Sequence, residues 1–104
     1  MSGDAERRPS LSEAKFSAAA IEGWCVEHIA RTLGIPPSEV EREKEVERLG
    51  LDSAALVVLV VELEEWLGVE LTPQLLFEYP TIAELARHIA EEHAAAAAGR
   101  AGAP

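Results

Sequence analysis

Glycine and proline cut this chain into helical pieces, and that punctuation limits what it can fold into. Phe16, Ala20, Ile21, Trp24, Cys25, His28, Ile29 and Leu33 recur at three- and four-residue steps, the spacing that lines one face of a helix. The pattern predicts a first helix from about Ala14 to Leu33. Gly34 supplies its C-terminal stop, and Pro36-Pro37 cannot continue it. A second helix is expected from about Ser53 to Leu67, stopped by Gly68. Thr72-Pro73 reads as an N-cap followed by proline at the first helical position. That short helix should run through Phe77 and break at Tyr79-Pro80. Thr81-Ile82-Ala83-Glu84 fits a capping box, opening a last helix that buries Ile82, Leu85, Ala86 and Ile89. Strand alternation and internal repeats are both absent from the sequence. The expectation is an all-α four-helix bundle with three main helices and one short one.

Between the first two helices lies a long connection, Ile35 to Asp52. Loops of this length are uncommon in compact domains and are often functional. Ile35, Val40, Val46, Leu49 and Leu51 are spaced through it as if to pin it to a core, around the mixed-charge run Glu41-Arg42-Glu43-Lys44-Glu45. Residues 1–13 are polar and read as a flexible lead-in. Residues 94–104 form an Ala/Gly-rich tail, where the alanines can extend the helix and Gly99, Gly102 and Pro104 mark its fraying. The 104 residues allow one small domain, placed at 14–93.

Nineteen acidic against nine basic side chains give a formal charge of -10. Nucleic-acid affinity comes largely from Lys and Arg neutralising phosphates, so that class of partner is not expected. The charge suits solubility, and it suits partners with basic surfaces, because complementary charge speeds encounter. No apolar run approaches the roughly 20 residues that span a bilayer, and the polar N-terminus lacks a secretory core. A cytoplasmic monomer with no membrane partner is expected. Cys25 is the sole cysteine, so no internal disulfide forms; it shares a stripe with Ile21 and Ile29 and reads as a small buried hydrophobe.

Leu49-Gly50-Leu51-Asp52-Ser53 joins the long loop to the second helix. Gly50 permits a tight backbone path, and Asp52 favours a helix start. Ser53 falls at the first helical position, where free N–H groups and the helix dipole favour an anion. A phosphodiester built on its hydroxyl would sit in a favourable field. An ordinary Asp-Ser N-cap pair would look the same, so these residues alone leave both readings open.

Gly50-Leu51-Asp52-Ser53 resembles the attachment motif of acyl carrier proteins. Leu76-Phe77-Glu78-Tyr79-Pro80-Thr81-Ile82 is similar to the phenylalanine–acidic–X–proline–threonine signature before the last helix in carrier domains of polyketide synthases. Leu33-Gly34-Ile35 and Pro37-Ser38-Glu39-Val40 resemble the end of their first helix. The likeness covers about Ile21 to Glu92. It implies a non-catalytic carrier of the polyketide or fatty-acid type. A phosphopantetheinyl transferase would move a 4'-phosphopantetheine arm from coenzyme A onto Ser53, with Asp52 assisting at the transferase interface. The arm's thiol would then hold acyl groups as thioesters, loaded by an acyltransferase or acyl-AMP ligase and passed to a ketosynthase or other acyl-processing enzyme. Any Mg²⁺ belongs to the transferase reaction, so no resident metal is expected. Peptidyl carriers usually show Gly-Gly-X-Ser, so Leu51 favours acyl over aminoacyl cargo. Some carriers active in β-branching have tryptophan six residues after the serine, where this chain has Leu59. The rivals are a peptidyl carrier and a non-carrier helical docking domain whose Asp-Ser is only a cap. Both a discrete protein and an excised domain are compatible with the sequence.

At 100° per residue, Leu56, Leu59, Val60, Leu63 and Leu67 share a core-facing arc of the second helix, with Trp66 at its edge. Ala54, Ala55, Val58, Val61, Glu62 and Glu65 lie opposite. By the resemblance, Leu51, Asp52, Ala55, Val58, Val61, Glu62 and Glu65 are the candidate partner-recognition residues. Acidic residues are usually prominent early on this face, whereas here Ala55 and Val58 stand there. Two readings of Val58 and Val61 stay open: an apolar contact surface for partners, or residues covered by the lead-in or a second copy of the chain.

Other signals carry less. His28, His88 and His93 are scattered and read as surface or boundary residues; His88 and His93 are five apart, off the four-residue ligand spacing. No Gly-X-Ser-X-Gly elbow accompanies Ser53, and no Gly-rich phosphate loop is present. Glu62, Glu64 and Glu65 resemble a solvated helix end.

Overall fold

The computed structural model describes residues 16–102; the lead-in at 1–13 and Pro104 lie outside the described residues. Four α-helices follow in order: α1 Ala18–Leu33, α2 Ser53–Leu67, α3 Leu75–Glu78 and α4 Ile82–Gly102. Among the described residues the expected all-α bundle of three main helices and one short one forms. Ser17 opens α1, its hydroxyl accepting the Ala20 N–H at 3.1 Å, a few residues later than the apolar stripe suggested. Gly34 and Gly68 close α1 and α2 in the left-handed conformation, donating to the Ala30 and Glu64 carbonyls at 2.8 Å each. The backbone of α4 stays helical through the alanines to Gly102.

The start of the short helix departs from expectation. Thr72 does not cap it: its carbonyl accepts the Leu75 N–H at 3.0 Å, making a turn, and α3 begins only at Leu75 with Gln74 in front and no side-chain cap. Pro73 fits that turn as well as it fits a helix start, and the need to bury Leu71 and Leu76 decides between them. Thr81 does cap α4, accepting the Glu84 N–H at 3.0 Å.

α1 packs against both α2 and α4. Ile21, Cys25 and Ile29 of α1, Leu59 and Leu63 of α2, and Ile82, Leu85 and Ile89 of α4 are at most 1% exposed. Each such side chain contributes about 1.5–3 kcal/mol by leaving water. The Cys25 thiol is pushed up to about 12 by burial, with Glu22 adding to the effect. In native protein at pH 8, Cys25 should therefore resist iodoacetamide and react only on denaturation. Rapid alkylation of folded protein, read by intact mass, would contradict that burial.

The long connection is ordered by two 3₁₀ turns, Pro37–Glu39 and Val46–Arg48. Val40, Val46 and Leu51 are buried, and Ile35 and Leu49 pack against the core. Backbone bonds fasten the loop to the start of α4: Val46 N–H donates to Pro80 O at 2.8 Å, and Ala83 N–H to Arg42 O at 3.1 Å. An isolated antiparallel bridge pairs Glu45 with Thr81. Arg42 also reaches Glu22 of α1 at 2.8 Å. The loop is thus held at both its charged middle and its apolar end, and that fixes where Ser53 emerges.

Candidate functional site

The site is built where the loop ends. Gly50 holds φ 109°, a backbone region that side chains with a Cβ rarely adopt. The next residue, Leu51, turns inward and is only 8% exposed. Asp52 is the N-cap of α2, its Oδ1 accepting the Ala55 N–H at 2.8 Å, and its carbonyl takes the first helical bond from Leu56 at 3.0 Å. Ser53 is the first helical residue and is exposed. The leading N–H groups of a helix lack partners within it and carry partial positive charge.

Beside Ser53 an open groove of about 590 Å³ runs between α2 and α3. Leu56, Val57, Leu76 and Phe77 form its apolar walls, with Pro73 at one end and Glu47 and Asp52 at the polar margin. An accessible hydroxyl at the positive end of a helix, next to an apolar groove, fits a phosphate ester bearing a long flexible arm. Ser53 would carry the ester, and the groove walls offer the arm a surface.

The recognition candidates divide. Asp52, Val58, Val61, Glu62 and Glu65 face outward on α2, and Ala55 is half-buried. Val58 and Val61 are 46% and 42% exposed, and among the described residues nothing covers them. Leu51 is not an open contact residue: the chain must dive into the core there before α2 can start, so its side chain serves as an anchor and part of the groove wall. Sequence reasoning missed Val57, 44% exposed, and the outward aim of Phe77, 73% exposed. Val57 lies only 40° around the helix from Ser53, a signal that the periodicity did contain. Phe77 had none, because aromatic residues ordinarily point inward. The four large hydrophobics exposed among the described residues, Val57, Val58, Val61 and Phe77, all sit on α2 or α3.

Two charged expectations also change. His28 is buried rather than at the surface, because α2 lies over it; its Nδ1 stands 3.2 Å from Glu62 Oε1. Burial lowers its proton affinity, Glu62 opposes that, and Arg31 adds to it. Glu62 is therefore a partnered residue, and Glu64 accepts the Leu71 N–H at 3.2 Å, so the helix end is less solvated than its charges suggest. Among the described residues, no three His, Cys, Asp or Glu side chains gather as a metal site.

An exposed, loop-anchored serine at the head of α2, beside an apolar groove, fits a carrier domain. The chain belongs to the phosphopantetheine attachment-site family, whose model matches residues 24–89. It is 38% identical over 74 residues to the polyketide synthase PksM of Bacillus subtilis, 71% of this chain and 2% of the synthase. An acyl carrier protein from Anabaena has a similar structure, with a TM-score of 0.69 and 37% identity over 73% of this chain and 86% of that one. A free-standing peptidyl carrier protein from Acinetobacter baumannii gives 0.69 and 27%, over 74% and 96%. Members are non-catalytic, take 4'-phosphopantetheine covalently, and work with phosphopantetheinyl transferases and the catalytic domains around them. Among the described residues, no helix is long and apolar enough to cross a membrane.

Proposed function

We propose that this chain carries acyl groups on 4'-phosphopantetheine joined to Ser53, in a polyketide or fatty-acid-like pathway of the cytoplasm. The observation that carries the reading is the exposed Ser53 hydroxyl at the first position of α2, beside the groove between α2 and α3. In the modification, Ser53 Oγ forms the new bond to phosphorus. The pyrophosphate link of coenzyme A breaks, adenosine 3',5'-bisphosphate leaves, and the hydroxyl proton passes to a base of the transferase. Asp52 holds the helix start in place for that attack. The arm, once attached, supplies a thiol that carries acyl groups as thioesters at high local concentration. An acyltransferase or acyl-AMP ligase loads it, a ketosynthase or other acyl-processing enzyme unloads it, and the carrier acts as a monomer.

The exposed faces of α2 and α3 support docking through apolar contact edged by acid. Val57, Val58, Val61 and Phe77 provide the contact, and Asp52, Glu62 and Glu65 the edge. Incubation with coenzyme A and a promiscuous phosphopantetheinyl transferase tests the main reading: intact mass should rise by one phosphopantetheine. Folded protein that gains no mass with several transferases would overturn it. Aminoacyl cargo is the second reading, favoured by the likeness to a peptidyl carrier. Competitive loading of the modified protein with acyl and aminoacyl donors separates the two.

A further inference from the structure

Two pairs of side chains, each four residues apart on its own helix, meet across the seam between α1 and α2. From α1 come Trp24 and His28; from α2 come Glu62 and Trp66. The rings of Trp24 and His28 stack with centroids 5.2 Å apart at 14°, and those of Trp24 and Trp66 at 5.5 Å and 11°. His28 Nδ1 then meets Glu62 Oε1 at 3.2 Å, with the histidine side chain 9% exposed and the glutamate 49%. A buried ring wedged against a tryptophan has little freedom, so the carboxylate it holds has little either. Glu62 sits one turn after Val58 and beside Val61, in the middle of the outward face of α2. Glu65, by contrast, has no ion pair among the described residues.

We propose that His28 is a positioning residue for this docking face, fixing Glu62 as a ready acceptor for a cationic side chain of a partner enzyme until the ring gains a proton. The inference rests on the reading of α2 as the docking face. A neutral His28 places its Nδ1 3.2 Å from the carboxylate without adding charge, so the pair keeps one net negative charge. A partner's Lys or Arg then meets a carboxylate that loses little rotamer freedom on docking. The charge of the chain, -10, makes a cationic partner group the complementary one. Protonating His28 takes the pair to zero net charge and removes that attraction. The charged groups acting on the ring are Glu62 from α2 and Arg31 from its own helix, and the buried ring titrates below its ordinary 6.5. Docking through Glu62 should therefore be intact at pH 7.5 and weaken as pH falls below 6.5.

The test measures KM and kcat for the carrier in modification by one phosphopantetheinyl transferase, at pH 7.5 and pH 5.5. His28→Phe keeps an aromatic ring but has no polar atom to set beside Glu62; His28→Gln keeps a polar side chain but does not titrate. At pH 7.5, His28→Phe and Glu62→Gln should each raise KM about three- to tenfold with kcat kept, and the double variant should do no more. His28→Gln should keep the KM of the native chain at pH 7.5 and exceed it in affinity at pH 5.5. Tryptophan emission, independent of the transferase, should titrate with His28 in the native chain and stay flat in His28→Gln. Val58→Asp tests the docking face itself. If Val58→Asp raises KM while His28→Phe and Glu62→Gln do not, the cluster only joins two helices and the inference fails. An unchanged KM in Val58→Asp overturns the docking-face reading and this inference with it. Should His28→Phe unfold, the pH comparison between the native chain and His28→Gln decides alone.

Discussion

Ser53→Ala should abolish the mass gain on incubation with coenzyme A and transferase, while leaving the fold intact. Among the described residues no other hydroxyl sits in this environment: the serine is exposed, opens α2, and borders the groove between α2 and α3. Alanine is a good helix former at such a position, and the cap belongs to Asp52 rather than to Ser53. Stability should change by no more than about 0.5 kcal/mol, as at other exposed sites. The melting curve and the intact mass therefore report separately on fold and attachment. A variant that still gains one phosphopantetheine would move the attachment elsewhere. Asp52→Ala provides the contrast: it removes the acceptor of the Ala55 N–H and should cost about 1 kcal/mol, so both readouts move.

Val46→Asp should destroy the cooperative fold. Val46 is 0% exposed and its N–H is bound to Pro80 O at 2.8 Å, so the loop has no slack to turn the new side chain outward. An unpaired carboxylate or its neutral acid, placed there without a partner, costs several kcal/mol. The stability of a domain this size is about 5–15 kcal/mol in total. Circular dichroism should show either no sigmoidal melt or a Tm lowered by tens of degrees, at about 4–8 °C per kcal/mol. Val46→Ala removes two methyl groups and should cost roughly 1–2 kcal/mol, a clear but survivable shift. An aspartate variant melting within a few degrees of the native chain would mean that the loop is not fastened there. The functional consequence follows from geometry: the segment that loosens leads directly to Ser53.

Helix positions were legible because their signals are local. Gly68 ends α2 where the apolar stripe stops, and Thr81 opens α4 through its own hydroxyl. Cys25 could be placed in the core from its spacing to Ile21 and Ile29 alone. The start of α3 was misread because Thr72-Pro73 suits a turn and a helix equally. Only the demand to bury Leu71 and Leu76 chose the turn. Leu51 was expected on the recognition surface from its place in a motif, yet it is an anchor, because a chain entering a helix from a pinned loop must cross the core surface. Phe77 went the other way, carrying an apolar side chain out to solvent at the groove.

The sequence by itself determined the all-α class, the punctuation of the three main helices, and the position of Ser53 at the head of the second one. Periodicity and capping act over a few residues, so they survive without a tertiary context. Tertiary structure alone decided what surrounds that serine: the groove shared with α3, the loop fastened to α4, and the pairing of His28 with Glu62. Those contacts join residues far apart in the chain, and no local rule specifies which helix faces meet.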